Sequence, residues 1–374
     1  MIGRKVTWAL AGVALCVGGI LAVAVLADDE AAPAEGSGTE GAAGQAEPVK
    51  GPLGDDPLMG SELTPEVLAA VDRGLAYLHS QLNEDGSFGR SGGYNGHAGI
   101  TGLCGLAFLS NGNLPNRGKY GADVAKVLNF LLKNTGRSGF IAGADVSHGP
   151  MYGHGFAALF LAEVYGVAQR DDVREKLSRA VDLMVRTQND QGGWRYQPVK
   201  FDADLSVTIC QIMALRAARN NGIKVPKFTI DKAVDYVKKS QNRDGGFSYT
   251  LGSSGSGFPR SAAGVVSLYN CGIYTGPEIE KGLNYLMKFK PGSSGGNQAA
   301  GGFYFYGNYY ATQAMFIAGG NYWKEWWPAI SKDLVSKQNK KDGSWQGEAG
   351  AEYGTAMACI ILQIPNRYLP ILQR

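Results

Sequence analysis

Apolar residues recur at i, i+3, i+4 and i+7 in six separate stretches of the chain. Leu68, Val71, Leu75 and Leu78 form the first, and Val124, Val127, Leu128 and Leu131 the second. Leu177, Ala180, Val181 and Met184 follow, then Ile230, Ala233, Val234 and Val237. Ile279, Leu283 and Leu286, and finally Trp327, Ile330 and Leu334, complete the series. This spacing gives a helix one apolar stripe and one wet face. Between these stretches lie six others, at 97–109, 154–165, 205–218, 261–270, 309–318 and 353–363, that are apolar on nearly all sides. A helix apolar all round is buried. Strict alternation therefore predicts two concentric rings, with buried helices inside and amphipathic helices outside. Two starts are marked: Thr64-Pro-Glu66 as an N-cap with Pro at N1, and Thr275-Gly-Pro-Glu278 with capping-box spacing. No strand of useful length with period 2 is present.

A similar turn separates the two helix types. It reads Gln-Asn-Asp-Gln-Gly-Gly-Trp over 188–194, Gln-Asn-Arg-Asp-Gly-Gly-Phe over 241–247 and Gln-Asn-Lys-Lys-Asp-Gly-Ser-Trp over 338–345. A fourth copy runs from Gln81 to Phe88, and weaker ones lie at 134–140 and across an insertion at 291–303. Asn and Asp form local side-chain bonds at a helix end, and Gly supplies the φ > 0 residue that stops the helix. The Gln is expected to bond backbone groups of a neighbouring helix, and the aromatic to pack under the next unit. A turn that returns about every 50 residues marks a repeat architecture.

These turns resemble the QW motifs of squalene and hopene cyclases. Residues 61–374 resemble the prenyltransferase and squalene-oxidase repeat family, which includes terpenoid cyclases and protein prenyltransferase β subunits. The resemblance implies an all-α, α6–α6 toroid with a central cavity, and an apolar isoprenoid or lipid-like ligand bound there, with or without turnover. The turns are structural, so they say less about activity than about fold. Two rivals stand beside this reading. One is a non-catalytic scaffold that binds a protein partner at the cell surface. The other is a glycan-active toroid enzyme, which needs an acid pair; Glu163 or Glu352 with Asp204 is its only candidate.

Composition changes the picture mainly at the N-terminus. The 374 residues carry a formal charge of +3. Residues 1–27 hold Arg4 and Lys5 and then an apolar run from Val6 to Leu26, the pattern of an export signal or, uncut, a membrane anchor. Residues 28–60 hold eight acidic residues, one lysine and almost no large apolar residue before Leu53, so a disordered linker is expected there. The remaining body is basic, but its lysines are spread over the outer helices and form no nucleic-acid module. Cys104, Cys210, Cys271 and Cys359 lie singly on separate apolar stretches without metal-ligand spacing, and nothing points to a cofactor.

The candidate chemistry gathers where inner helices begin. His97 lies four before Thr101, His154 four before Ala158, and Asp204 four before Thr208. That common offset predicts three polar side chains facing one mouth, as a ligand site or a two-His, one-carboxylate set. Asp202 and Asp204 match the first two acids of the Asp-x-Asp-Asp motif with which class II terpene cyclases protonate their substrate, but Leu205 occupies the last position. Asp204 is read either as that acid, kept protonated by burial, or as the N-cap of the following helix. The zinc-binding Asp-x-Cys pair of protein prenyltransferases is missing. Tyr152, Phe156, Tyr309 and Tyr353, with Tyr94, Tyr304, Tyr306 and Tyr310, are expected to line the cavity near the same mouth.

Overall fold

The computed structural model describes residues 62–90, 94–144, 146, 149–296 and 302–373. The export segment at 1–27 and the linker at 28–60 lie outside the described residues. Twelve α-helices run in order through the described part: α1 Pro65–Gln81, α2 Ala98–Leu109, α3 Gly121–Lys133, α4 Pro150–Ala168, α5 Asp171–Thr187 and α6 Leu205–Asn220. They continue as α7 Lys227–Lys239, α8 Phe258–Asn270, α9 Pro277–Met287, α10 Tyr304–Ala318, α11 Gly320–Lys337 and α12 Ala351–Gln363. Among the described residues β structure is confined to isolated bridges.

Even-numbered helices form the inner ring, each packed on the next, and α12 packs back on α2. Odd-numbered helices lie outside, with α1 closing against α11 and α12. The fold is the α/α toroid that the alternation predicts. α4, α8 and α10 begin three to five residues earlier than the apolar runs suggested. In α4 and α8 a proline in the first turn starts the helix. Thr64 caps α1 by accepting the Val67 N–H at 3.4 Å. Thr275 caps nothing, contrary to its spacing: Gly276, at φ 119°, precedes α9, and no side chain caps that helix.

The turns bolt each repeat to the next. Gln188 Nε2 donates to Gly192 O within its own turn at 2.9 Å and to Thr229 O in α7 at 2.8 Å. Gln241 does the same with Gly245 O and Glu278 O in α9. Gln338 reaches Gly343 O and, at 2.9 Å, Ala70 O in α1, so the last turn docks on the first helix and closes the ring. Gln81 does not belong to this set. It is half-buried and donates to Ser80 Oγ at 3.0 Å instead, because Leu82 stands at the register position directly before Asn83. The turn glycine is forced twice over. Gly192 sits at φ 99°, and a Cβ there would lie 2.1 Å from Lys232 O of α7. Gly192→Ala is expected to destabilise the protein by at least about 2 kcal/mol, from left-handed strain and the clash together. Urea unfolding checks this.

One more rule emerges from the turns. The backbone N–H of the turn's packing residue is taken by a polar side chain one turn into the inner helix. Phe88 donates to Thr101 Oγ1 at 2.9 Å, Trp194 to Thr208 Oγ1 at 3.0 Å, Phe247 to Ser261 Oγ at 2.8 Å and Trp345 to Thr355 Oγ1 at 2.9 Å. In the second repeat Ile141 donates to His154 Nδ1 at 3.2 Å. The buried residue of that turn is Ile141, not the half-buried Phe140. In the fifth repeat Phe303 is 59% exposed. There Trp326 of α11 is fully buried, and its indole N–H donates to Thr312 Oγ1 at 3.1 Å.

Candidate functional site

After Trp194 the chain leaves the turn, runs as a loop to residue 203, and returns, with the Asp204 N–H donating to Trp194 O at 3.0 Å. Arg195 and Asp202 meet across the base of this loop as an ion pair. Asp204 is fully buried and caps α6, its Oδ1 accepting the Val207 N–H at 2.9 Å. Its Oδ2 lies 3.7 Å from Arg195 Nε. The guanidinium in turn rests 5.2 Å from the centre of the Tyr196 ring and 5.8 Å from that of Tyr249, whose hydroxyls bond each other. Burial pushes the Asp204 carboxyl up to about 6, and the Val207 N–H, Arg195, the Ser206 N–H and Tyr249 hold it from rising further. The neighbour that sets its acidity from outside is thus a cation, not the second carboxylate that the Asp202/Asp204 pair suggested. Because Asn caps as well as Asp, Asp204→Asn is expected to leave thermal stability near pH 7 almost unchanged, whereas Asp204→Ala costs about 1 kcal/mol. Melting curves of the two variants check this.

The three polar residues expected at one mouth separate into two roles. His97 caps α2, its Nδ1 accepting the Ile100 N–H at 3.3 Å, and Tyr94 meets it edge-on. Asp204 has the same position on α6. His154 lies one turn deeper, at the place held by Thr101 and Thr208, and is spent on the Ile141 N–H. The shared offset fails because α4 begins at Pro150, so that His154 is already inside the helix. Among the described residues no group of three His, Cys, Asp or Glu is arranged to hold a metal ion.

The aromatic residues expected to line a cavity instead meet one another. Phe156 of α4 and Tyr309 of α10 touch edge-on across the ring, with centroids 6.2 Å apart. Tyr310 stacks edgewise on both Tyr306 and Tyr309, and its hydroxyl lies 3.5 Å from Cys210 Sγ of α6. The Tyr306 hydroxyl donates to Ser206 O at 2.8 Å. The ring axis is therefore filled by large side chains that sequence alone placed around an open space. Tyr152 and Tyr353 lie nearer the rim, Tyr152 against Tyr196 and Tyr353 with its hydroxyl 3.4 Å from Glu348 Oε1. At the far mouth the C-terminal segment crosses the inner-helix ends. Asn366 donates to Ser110 O, and Leu369, Ile371 and Leu372 are buried.

The family model for the squalene-hopene cyclase C-terminal domain matches residues 161–322, and that for the prenyltransferase α/α-toroid domain matches residues 60–156. Together the two matches run through most of the toroid, which resembles the toroid domains of squalene-hopene cyclases and prenyltransferases. The toroid is similar to the type II terpene cyclase MstE from Scytonema, at 14% identity and a TM-score of 0.55, covering 82% of this chain and all of that one. It is also similar to cellobiose 2-epimerase from Bacillus thermoamylovorans (12%, TM-score 0.58, 80% of this chain and 100% of that one). A third solved likeness is the α-1,6-mannanase GH76A of Salegentibacter (10%, TM-score 0.59, 79% and 98%). At these identities the likeness is one of fold. No curated relative matches the chain by sequence.

Within this toroid Glu163 and Asp204 do not form the acid pair of the glycan reading. Glu163 lies 13 residues into α4, about 20 Å down the helix from the rim where Asp204 caps α6. Paired glycosidase carboxyls stand roughly 5–9.5 Å apart. Glu352 is on α12, beside Tyr77 of α1 and Cys104 of α2. Two surface pockets flank the rim. One, of about 310 Å³, is bounded by Tyr304, Phe305, Lys337, Trp345 and Glu348 among others. The other, of about 270 Å³, is lined by Arg195, Tyr196, Gln197, Val199, Phe201 and Asp202. Arg195, Tyr196 and Tyr249 were not singled out from sequence. A lone arginine next to the turn tryptophan, seven residues before an Asp-x-Asp pair, was the available signal for the first.

Proposed function

We propose that this toroid binds an apolar, isoprenoid or lipid-like ligand at the rim where its inner-helix N-termini gather. The observation that carries the reading is the 270 Å³ pocket, which has Arg195 and Asp202, the neighbours of Asp204, in its wall. Val199 and Phe201, also in its wall, are 56% and 84% exposed. Covering each such side chain is worth about 1.5–3 kcal/mol to a ligand that does so. A type II terpene cyclase of the same fold has been solved with geranylgeranyl dihydroxybenzoate as its substrate, which supports an isoprenoid as the ligand class. The site is placed at the rim because the axis is filled. The reading stops at binding: a carboxyl near 6 that faces Arg195 and holds a cap bond is mostly ionised at neutral pH, the wrong state for a proton donor.

Native mass spectrometry of the protein purified from its own host tests this. A retained isoprenoid lipid is the expected result. The filled axis favours one other reading, a scaffold that binds a protein partner, and protein recovered in a stable complex without lipid would favour it instead. We also propose that the protein acts outside the cytoplasm, on the strength of Arg4, Lys5 and the apolar run that follows. An intact N-terminus found by sequencing in the soluble cytoplasmic fraction would sink that proposal.

A further inference from the structure

We infer that the C-terminal segment, residues 365–373, is a hinged lid on the far mouth of the ring, latched by the Ile371 N–H to the Glu163 carboxyl beneath it. The inference goes beyond the ligand reading and does not depend on it, because the 270 Å³ pocket lies at the opposite mouth. The lid touches four inner helices. Asn366 Nδ2 donates to Ser110 O at the end of α2 at 3.1 Å, and the Ile371 N–H reaches the Glu163 carboxyl of α4. Pro370–Leu372 packs on α6, and the Arg367 guanidinium lies over the Phe316 ring of α10. The remaining hydrogen bonds of the lid are its own. It consists of two three-residue 3-10 turns, Ile364–Asn366 and Pro370–Leu372. The Arg367 N–H donates to Ile364 O, the Leu372 N–H to Leu369 O and the Gln373 N–H to Pro370 O, and the Gln373 side chain donates to Arg367 O. Among the described residues, only the Asn366 and Ile371 contacts tie residues 365–373 to the ring by hydrogen bonds.

A segment that satisfies itself can lift as one piece. It then loses those two contacts and the burial of Leu369, Ile371 and Leu372. The chain entropy that it regains offsets much of that burial. The hinge is marked by Arg367, which sits at φ 57°, a left-handed conformation that strains a residue with a Cβ. What the closed lid leaves unsatisfied is Glu163, whose Oε1 is buried without a partner. Tyr309 of α10 is the titratable side chain coupled to it, and burial keeps that hydroxyl protonated. No charged side chain takes part in raising or lowering Glu163: burial raises it and the Ile371 N–H opposes. Lifting the lid lets water reach the carboxyl and restores its ordinary acidity. The closed lid is therefore fully favoured below about pH 4.5. It loses about tenfold per pH unit up to about 8, where the carboxyl ionises in the closed form too.

Hydrogen exchange on the full chain, read by mass spectrometry as protection factors, tests this. Peptides from 364–373 are expected to exchange by local opening, with little response to low urea, while peptides from α4 and α6 wait for the whole ring to open. Protection of the lid is expected to fall about tenfold per pH unit between about pH 5 and pH 8, and to stay flat in Glu163→Gln. Equal protection of lid and inner helices, with the same urea dependence, overturns the inference. Lid protection that ignores pH in the unaltered protein overturns it as well. Both of those results are read without a variant, so a Glu163→Gln chain that fails to fold does not blunt the test.

Discussion

Replacing Trp194 by Ala is expected to cost about 3–5 kcal/mol, the usual loss when a large aromatic leaves a packed core. The side chain is 1% exposed. Its indole N–H donates to Met184 O in the preceding outer helix at 2.8 Å, and its backbone N–H is fixed by Thr208. It therefore holds an outer helix, a turn and an inner helix together at once. Trp345 has the same bonds, to Leu334 O and Thr355, and its turn reaches α1, so Trp345→Ala is expected to loosen the ring at its closure by a similar amount. Phe is the control. Phe88 and Phe247 fill the corresponding places with no exposure at all, so Trp194→Phe should forfeit mainly the indole hydrogen bond, about 1 kcal/mol, and some volume. Urea unfolding of the three variants decides it. Losses under about 0.5 kcal/mol for the alanine variants would be those of idle surface residues and would remove the turns from the account of stability.

The features legible in the sequence were the periodic ones. Two helix types alternate because one stripe or all faces must be buried, and that follows from residue spacing. The turns were legible because Gln, Asn, Gly and an aromatic each meet a separate backbone need. Errors came where a register shift of one residue or one turn decides the contact. Gln81 looks like Gln188, yet it stands one place too early relative to Asn83 and never reaches the next helix. His154 looks like a rim residue until α4 is seen to start at Pro150. Phe140 looks like the packing residue of its turn, although the adjacent Ile141 carries the bond to His154. The filled axis was illegible for a different reason. Sequence gives which residues face inward, but whether six inward faces leave a space depends on side-chain volume summed across helices that are distant in the chain. Asp204 was read with two alternatives, cap or candidate acid, and the cap is the one seen; Arg195, which bears on the other, is brought alongside only by the loop's return to Trp194.

Stability is expected to fall as pH rises from about 6.5 to about 8, and Glu163 is the cause. Burial inside the ring, beneath the C-terminal segment, pushes its carboxyl up to about 8 against an ordinary 4.5, with only the Ile371 N–H opposing. Its Oε1 has no partner. Between those two pH values the folded protein keeps a proton that the unfolded chain has released, so raising pH favours unfolding. The full shift corresponds to a loss on the order of 5 kcal/mol. His154 acts in the opposite sense. Burial lowers its imidazole to about 4 from an ordinary 6.5, so the unfolded chain binds the extra proton between those values and stability rises with pH there, by on the order of 3 kcal/mol. The Glu163 and His154 slopes offset each other between about 4.5 and 6.5, where Asp204, raised to about 6, adds a fall of its own up to that value, and above that window the Glu163 decline is no longer offset. Glu163→Gln should therefore gain on the unaltered protein steadily up to about pH 8 and run parallel to it beyond. His154→Thr, which uses the acceptor that α2 and α6 already use, should lose the acid-side decline, whatever constant cost its smaller volume adds. Urea midpoints at a series of pH values separate these outcomes: if the difference between Glu163→Gln and the parent does not change between pH 5 and pH 8.5, Glu163 is not held protonated inside the ring.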